Sequence, residues 1–235
     1  MLILAFETSA KAASVALMDE KKLLGEQYQN TGLTHSQTLM VMAENLLKEC
    51  SKTPLDVTHV AVAAGPGSFT GVRIGVAAAK GFAWGRQLPC YGVSTLHAMA
   101  LSLGIWDGYV CPCMDARRSQ VYNASFEVSC GECTRIREDR AISLQKLGED
   151  LQTLKKHVFL VGDGSNLCYN SLLEQVPALV LPKEHRMHQR AVGVALAAGE
   201  KIQAGEEANG AELVPNYLRL SQAERERLAR GQSLT

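Results

Sequence analysis

Short apolar runs alternate with longer stretches of helical periodicity along the first 104 residues. Strands are predicted over 2–6, 14–18, 23–28, 57–64 and 90–93, and helices over 34–50, 69–84 and 95–103. Thr34 with Gln37 fits a capping box at the start of the first helix. Ser68 is suited to cap the second helix, and Ser94 or Thr95 the third. The resulting order, β-β-β-α-β-α-β-α, is that of a mixed α/β domain.

The second half echoes the first, because it also opens on a strand followed by a polar turn. Strands are predicted over 109–114, 121–128 and 158–162, helices over 165–175 and 186–204, an extended tail over 212–220 and a frayed polar end over 221–235. The stretch from about 129 to 154 is predicted to be less regular. We expect two domains, 1–104 and 105–235, with the helix over 186–204 a candidate to pack back on the first.

Two helices of the first domain are apolar on more than one face. The helix over 34–50 has apolar residues at five consecutive positions, 39–43, and the helix over 69–84 is apolar along most of its length. A surface helix of a monomer usually shows one apolar stripe. These two helices must therefore be covered on two sides, either by the rest of this chain or by another protein. The sequence leaves both alternatives open.

Composition and charge exclude several classes of protein. The 24 basic residues balance 24 acidic ones, whereas a protein that binds nucleic acid unaided usually has a basic surplus. The apolar run 1–6 has no basic residues before it and ends at Glu7, so it predicts a first strand rather than a signal peptide. No run approaches the roughly 18 apolar residues of a membrane span. Seven cysteines, an odd number, argue against a disulfide framework, so we expect a cytoplasmic protein with free thiols.

Three turns carry candidate chemistry. The segment Gly65–Gly75 predicts strand, tight turn and helix, and such a helix start suits an anion. It lacks the Gly-Lys-Ser/Thr of a P-loop, and its glycine spacing differs from that of dinucleotide-binding proteins. Gly162-Asp163-Gly164 is either a phosphate turn or a strand-to-helix connection. Asp115, with Arg117 and Arg118, is either a catalytic acid with anion-binding arginines or a solvated hairpin tip.

Other pairs of potential ligands have simpler interpretations. Cys130 and Cys133 follow a predicted strand, so we expect structural thiols in a hairpin turn. His185 and His188 precede a predicted helix and lack a neighbouring glutamate, so a solvated helix start is expected there. No arrangement of serine, histidine and acid can be placed on the predicted elements.

The order of several motifs resembles the TsaB family, whose members are non-catalytic partners in bacterial tRNA threonylcarbamoyladenosine synthesis. The matching pieces are Leu4–Ser9, Thr34–Ser36, Gly65–Gly75, Val93–Leu96, Met114–Tyr122, Val161–Gly164 and Val214–Arg219. The word Gly-Pro-Gly-Ser-Phe-Thr-Gly at 65–71 is the most specific of them. Glu7 departs from the family, in which aspartate is frequent at this position.

The resemblance implies an actin/Hsp70-like (ASKHA) α/β fold of two lobes with a reduced second lobe. It also implies a heterodimer with TsaD, the paralogue that transfers threonylcarbamoyl to adenosine 37 of tRNA, with TsaE, a small ATPase, joining the assembly. tRNA would be met only through that complex, and the chain alone is expected to form a homodimer through the same surface. The interface residues that the resemblance implies, on the helices over 34–50 and 69–84, are His35, Leu39, Met42, Leu46, Phe69, Thr70, Arg73, Val76 and Lys80.

The resemblance further implies that the chain has no catalytic residue and no metal. TsaD carries two histidine metal ligands, and our alignment places Thr95 and Met99 at those positions. A vestigial nucleotide site is implied at Glu7, Thr8, Ser9, Asp115, Gly162, Asp163 and Gly164, with no resident cofactor expected and a nucleotide at the partner junction left open. The alternatives are an ATP-dependent kinase or ATPase that uses these turns, and a metallopeptidase. Calorimetry with magnesium and ATP tests the first, and a metal assay the second.

Overall fold

The computed structural model describes residues 1–20, 22–208, 210 and 212–219. The strands are β1 (Leu2–Glu7), β2 (Ala13–Asp19), β3 (Lys22–Gln29), β4 (His59–Ala63), β5 (Cys90–Val93), β6 (Gly108–Asp115), β7 (Gln120–Ser129), β8 (Glu132–Ser143), β9 (Val158–Val161) and β10 (Leu179–Val180). The helices are α1 (His35–Glu49), α2 (Phe69–Trp84), α3 (Thr95–Leu103), α4 (Leu144–Leu151), α5 (Ser165–Leu172) and α6 (Ala191–Gln203), with 3-10 turns at Pro54–Asp56 and Glu184–Arg186.

The strands form two mixed sheets that are built alike. The first has the order β3-β2-β1-β4-β5 and the second the order β10-β9-β6-β7-β8. In each sheet the first strand of the lobe pairs antiparallel with the next strand of the chain and parallel with a later one. The turns that leave β1 and β6 therefore lie at corresponding edges of the two lobes. This architecture confirms the predicted two-lobed α/β fold.

The first sheet is covered on both faces. Alternate residues of β1 point to opposite faces, so Leu4 and Phe6 pack under α1 and α2 while Ile3 and Ala5 pack under α6. The buried side of α6 is made of alanine, glycine and valine, which lets this helix lie close to the sheet. Although α6 comes from the second half of the sequence, its contacts are with all five strands of the first sheet and with α3.

Helix α3 joins the two lobes. Its side chains Leu96, Met99 and Leu103 are buried against Val110 and Phe126 of the second sheet. The opposite face of that sheet is covered by α4 and α5. Helix α3 also contacts α6, which lies on the first sheet. Helix α3 therefore packs against both lobes.

Residues 132–151 are regular, so the prediction of a less regular stretch from 129 to 154 was wrong. They form β8 and α4. The strand was missed because its sequence is dominated by charged residues, which hide the period of two. Arg135, for example, covers the ring of Phe126 at 4.7 Å and pairs with Asp139 at 2.6 Å, so a charged residue occupies an inward position.

Two of the three predicted helix caps form. The hydroxyl of Ser68 accepts from the Gly71 amide at 3.3 Å, and that of Ser94 accepts from the His97 amide at 3.1 Å. Thr34 is the N-cap of α1, but its side chain makes no capping bond to the backbone, so the predicted capping box is wrong. Helix α6 begins at Ala191 rather than 186, because a 3-10 turn precedes it. The predicted frayed end, 221–235, lies outside the described residues.

Candidate functional site

The turn after β1 is buried against the start of α2. The carboxylate oxygen Oε1 of Glu7 accepts from the Ser9 amide at 2.6 Å, and the Glu7 side chain is only 1% exposed. The Thr8 hydroxyl donates to the Gly71 carbonyl at 2.8 Å, and the Ser68 amide donates to the Ser9 carbonyl at 2.6 Å. These groups are therefore bonded within the first lobe and are not directed at open solvent.

The glycines after β4 make room for this turn. A Cβ atom at Gly71 would lie 2.1 Å from the Thr8 carbonyl oxygen, and one at Gly75 would lie 2.3 Å from the Thr8 hydroxyl. The Ser68 and Gly71 amides, which an anion at this helix start would have used, are bonded to Ser9 and Ser68. The glycine-rich segment thus allows the turn after β1 to pack closely on the start of α2.

In the second lobe, the segment Gly162-Asp163-Gly164 packs closely on the end of β6 in the same way. A Cβ atom at Gly162, where φ is +101°, would lie 2.3 Å from the Cys113 carbonyl oxygen at the end of β6. The Gly164 amide donates to the same carbonyl at 3.0 Å. Of the two interpretations left open for this segment, its contacts favour the strand-to-helix connection.

The acidic residues near the two turns lie close enough for the charge of one to raise the pKa of the next. Burial, together with a smaller effect of the Asp163 charge, raises the pKa of Glu7 to about 7. Loss of solvent raises the pKa of Asp163 although its side chain is partly exposed, and the nearby charge of Asp115 acts in the same direction. Asp163 accepts from the Gln189 amide at 3.3 Å, and Asp115 accepts from the backbone of Arg117 at 2.7 Å. A phosphate placed beside these acidic residues would meet like charge unless a cation accompanied it.

Replacing Glu7 with glutamine is expected to stabilise the protein at alkaline pH. The raised pKa means that the folded chain holds a proton between about pH 4.5 and 7 that the unfolded chain has lost, so stability falls as pH rises through that window. At pH 8 Glu7→Gln should raise the free energy of unfolding by about 3 kcal/mol, since a shift of about 2.5 pKa units costs about 1.36 kcal/mol per unit. Chemical denaturation of both proteins at pH 4.5 and pH 8 measures the difference.

The wild-type curve alone does not test this prediction, because His97 titrates with the opposite sign. Burial lowers the pKa of His97 to about 4, so its contribution to stability is lost as pH falls from about 6.5 towards 4. The comparison with Glu7→Gln cancels the His97 effect. Parallel stability curves for the two proteins would show that Glu7 is not held neutral in the fold.

Four of the residues predicted to meet a partner lie in the core instead. Leu39, Met42, Leu46 and Val76 are at most 7% exposed, and they pack between α1, α2 and the first sheet. Their apolar atoms are covered by their own lobe. Contrary to the prediction, these four residues are therefore not on a surface that a partner could contact. His35 is half-buried, with its Nε2 2.8 Å from the Ala10 carbonyl oxygen.

The exposed surface of these helices is carried by other residues. Val41 is 54% exposed and Met40 43%, while Trp84, at the end of α2, is 77% exposed. We define the open face as Met40 and Val41 of α1 together with Thr70, Ala77, Gly81 and Trp84 of α2. Helical periodicity could have found the α2 part, since 70, 77, 81 and 84 lie opposite the buried positions 72, 76, 79 and 83.

Three other predicted interface residues, Phe69, Arg73 and Lys80, contact the chain's own C-terminal segment. We call residues 212–219 the tail strap. Its Leu213 is buried in the core of the first lobe, and the Lys80 ammonium donates to the Leu213 carbonyl at 3.1 Å. Tyr217 stacks on Phe69 with ring centroids 4.6 Å apart, and its hydroxyl accepts from Arg73 at 2.7 Å. Of the nine predicted residues, Thr70 is the one that belongs to the open face.

The positions aligned with the metal ligands of TsaD are buried at the junction of the lobes. Thr95 and Met99 are at most 2% exposed, and His97 between them stacks on Phe126 at 5.3 Å. Across the described residues, no three histidine, cysteine or acidic side chains come together as a metal site. Within the same part of the chain, no helix has the length and apolar character to cross a membrane. The seven cysteines are free, including Cys130 in the β7–β8 turn and Cys133 near the start of β8.

Comparisons with known proteins agree with this architecture. The family described as TsaD, tRNA N6-adenosine threonylcarbamoyltransferase, matches residues 29–227. The tRNA threonylcarbamoyladenosine biosynthesis protein TsaB of Bacillus subtilis is 33% identical over 226 residues, which cover 95% of this chain and 96% of that protein. TsaB of Escherichia coli is 37% identical over 129 residues, which cover 54% of this chain and 55% of that protein.

Solved structures give the same result. A Pseudomonas aeruginosa protein described as similar to the peptidase YEAZ superposes with a TM-score of 0.81 at 28% identity, over 93% of this chain and 99% of that one. Component A of the Acidaminococcus fermentans (R)-2-hydroxyglutaryl-CoA dehydratase shares the fold alone, with a TM-score of 0.51 at 12% identity, over 86% of this chain and 99% of that one. The two similar lobes and these neighbours define an actin-like protein of the ASKHA fold. Within that class, the chain belongs to the TsaB family.

Proposed function

We propose that this chain is a non-catalytic subunit of the complex that makes threonylcarbamoyladenosine at position 37 of tRNA, and that it acts by binding the transferase TsaD. The observation that carries the proposal is the open face, because α1 and α2, which cover the same face of the first sheet, leave apolar and small residues exposed. The names of the relatives supply the pathway, and the family match supplies a partner of the same fold.

The chemistry of the two turns supports an accessory role. In the first turn the Thr8 hydroxyl is bonded to α2 and the Glu7 carboxylate to the Ser9 amide. The positions aligned with the metal ligands of TsaD carry a hydroxyl and a thioether. A nucleotide at these turns would need a divalent cation, because acidic groups gather there. A nucleotide at the junction with TsaD stays a prediction.

The remaining members of the assembly follow from the same proposal. The balanced charge, 24 basic against 24 acidic residues, supports contact with tRNA through the complex and not by the chain alone. TsaE is expected to join through the heterodimer with TsaD. We place the assembly in the cytoplasm, where its tRNA substrate is made.

In the absence of TsaD, the chain is expected to form a homodimer through the open face. Small and apolar residues on two copies can cover each other in an isologous contact. Light scattering coupled to size exclusion should give the mass of two chains alone, replaced by a heterodimer when TsaD is added in equal amount. A monomer that persists at high micromolar concentration would contradict the homodimer, and the absence of a mixed species would contradict the proposed function.

A further inference from the structure

An arginine on the exposed side of α2 is held in place by two aromatic residues that are distant in sequence. The Arg73 guanidinium lies 3.8 Å from the centroid of the Phe69 ring, and its Nε donates to the Tyr217 hydroxyl at 2.7 Å. Tyr217 in turn stacks on Phe69 at 4.6 Å. Arg73 itself stays exposed to solvent. The three side chains form a cluster in which the two aromatic rings hold an exposed guanidinium group in place.

The tail strap that delivers Tyr217 is built into the first lobe. Leu213 is 4% exposed, and its side chain packs on Gly92. A Cβ atom at Gly92 would lie 2.3 Å from a Leu213 methyl group, so only glycine leaves room for this contact. The Asn216 amide donates to the Ala64 carbonyl at 2.6 Å. Beyond Tyr217, Arg219 donates to the Ala116 carbonyl of the second lobe. Tyr217 is therefore fixed on both sides along the chain.

This arrangement leaves the two Nη groups of Arg73 available to bind another group. In the part of the chain that the structure describes, Nε is used by Tyr217 and neither Nη group has a hydrogen-bond or ion-pair partner. A guanidinium with two free Nη donors in one plane matches a carboxylate, which it binds with two parallel hydrogen bonds. Since the side chain is already ordered, binding would cost little further conformational entropy.

We propose that Arg73, positioned by Phe69 and Tyr217, is the anchor through which this chain binds an acidic side chain of its protein partner. The inference rests on the proposed function and makes the tail strap a part of the docking surface. The neighbours on the same stripe of α2, Thr70 and Ala77, are small and uncharged, which suits the close approach of a protein helix. Val214 of the strap adds apolar surface, since it is 69% exposed.

A nucleic-acid partner fits this cluster less well. Single-stranded nucleic acid is bound by aromatic rings whose faces are open to the bases, whereas Phe69 and Tyr217 stack on each other. The nearby Lys80 ammonium is directed to the Leu213 carbonyl. The formal net charge of zero gives no basic field to attract a phosphate backbone.

The experiment measures the affinity of the full-length chain for TsaD by calorimetry, with four variants. Arg73→Ala removes the guanidinium, and Tyr217→Phe keeps the ring but removes the hydroxyl that orients Arg73. The double variant tests whether Tyr217 acts through Arg73. Trp106→Phe is the control, because Trp106 is an exposed aromatic residue (72%) on the second lobe. Thermal melting of each variant verifies that it is folded.

We expect Arg73→Ala to weaken binding about tenfold or more and Tyr217→Phe about threefold to tenfold, with Trp106→Phe unchanged. The double variant should bind as Arg73→Ala does, because the hydroxyl has no role once the guanidinium is gone. If the wild type binds TsaD and both single variants bind within twofold of it, the inference is wrong and the proposed function stands. If the wild type does not bind, the proposed function fails.

Two further outcomes would also overturn the inference. If Arg73→Ala weakens binding but Tyr217→Phe does not, the assigned role of the tail strap is wrong. If Arg73→Ala leaves the affinity for TsaD unchanged and instead lowers the affinity of the chain for tRNA, measured by filter binding, then Arg73 is a nucleic-acid contact.

Discussion

The Ala77→Arg substitution is expected to prevent the chain from forming a complex with TsaD while leaving its fold intact. Ala77 lies in the middle of the exposed stripe of α2. A long charged side chain placed there would hold the two helices apart, or would have to be buried without a partner. We expect a loss of about 3 kcal/mol or more of binding free energy, which is about a hundredfold in affinity. Co-expression followed by size exclusion shows whether the complex survives.

The matched control is Ser171→Arg, which adds the same side chain to an exposed position of α5 on the second lobe. It should leave the complex intact. Substituting aspartate for Leu39, Met42 or Val76 would not be an equivalent test, because these residues are buried and a charge there would unfold the lobe. Complex formation by Ala77→Arg at wild-type affinity would remove the open face from the docking surface.

The Gly71→Ala substitution is expected to destabilise the protein strongly. The new methyl group would lie 2.1 Å from the Thr8 carbonyl oxygen, so the turn after β1 would have to move away from α2. Because the clashing atom belongs to the backbone, no side-chain rotation can relieve the overlap. We expect a loss of about 3 kcal/mol or more in the free energy of unfolding. For a chain of this size, that lowers the Tm by roughly 10 °C.

Gly81 in the same helix provides the control. A Cβ atom there would have no neighbouring atom within 4 Å, so Gly81→Ala should stabilise the protein by about 0.5–1 kcal/mol through helix propensity alone. Urea denaturation followed by circular dichroism measures both variants. Equal effects of the two substitutions would show that the glycines near the start of α2 are not there to admit the turn.

The sequence predicts those parts of the fold whose causes lie close together in the chain. Ser68 and Ser94 cap helices because each hydroxyl bonds an amide three residues later, and the predicted bounds of α2, 69–84, coincide with those of the structure. The two-lobed fold follows from the order of strands and helices together with the resemblance. In contrast, β8 was missed because charged residues such as Arg135 and Asp139, which pair with each other, hide the period of two along this strand.

The parts of the site that escaped prediction depend on contacts between distant segments. Arg73 and Tyr217 are separated by 144 residues, and the residues around Tyr217 have no periodicity that points to α2. The burial of Glu7 likewise depends on how the turn after β1 meets α2, which its own sequence does not specify. Periodicity identified α1 and α2 as unusually apolar, but only packing against the sheet shows which of their faces stays exposed.

Calorimetric titration of the purified full-length chain with TsaD from the same organism tests the central claim most directly. We predict saturable binding at one chain per TsaD, with a Kd in the micromolar range or tighter, as expected for an interface of standard size. Absence of binding at concentrations of about 100 micromolar, with both proteins folded, would contradict the account.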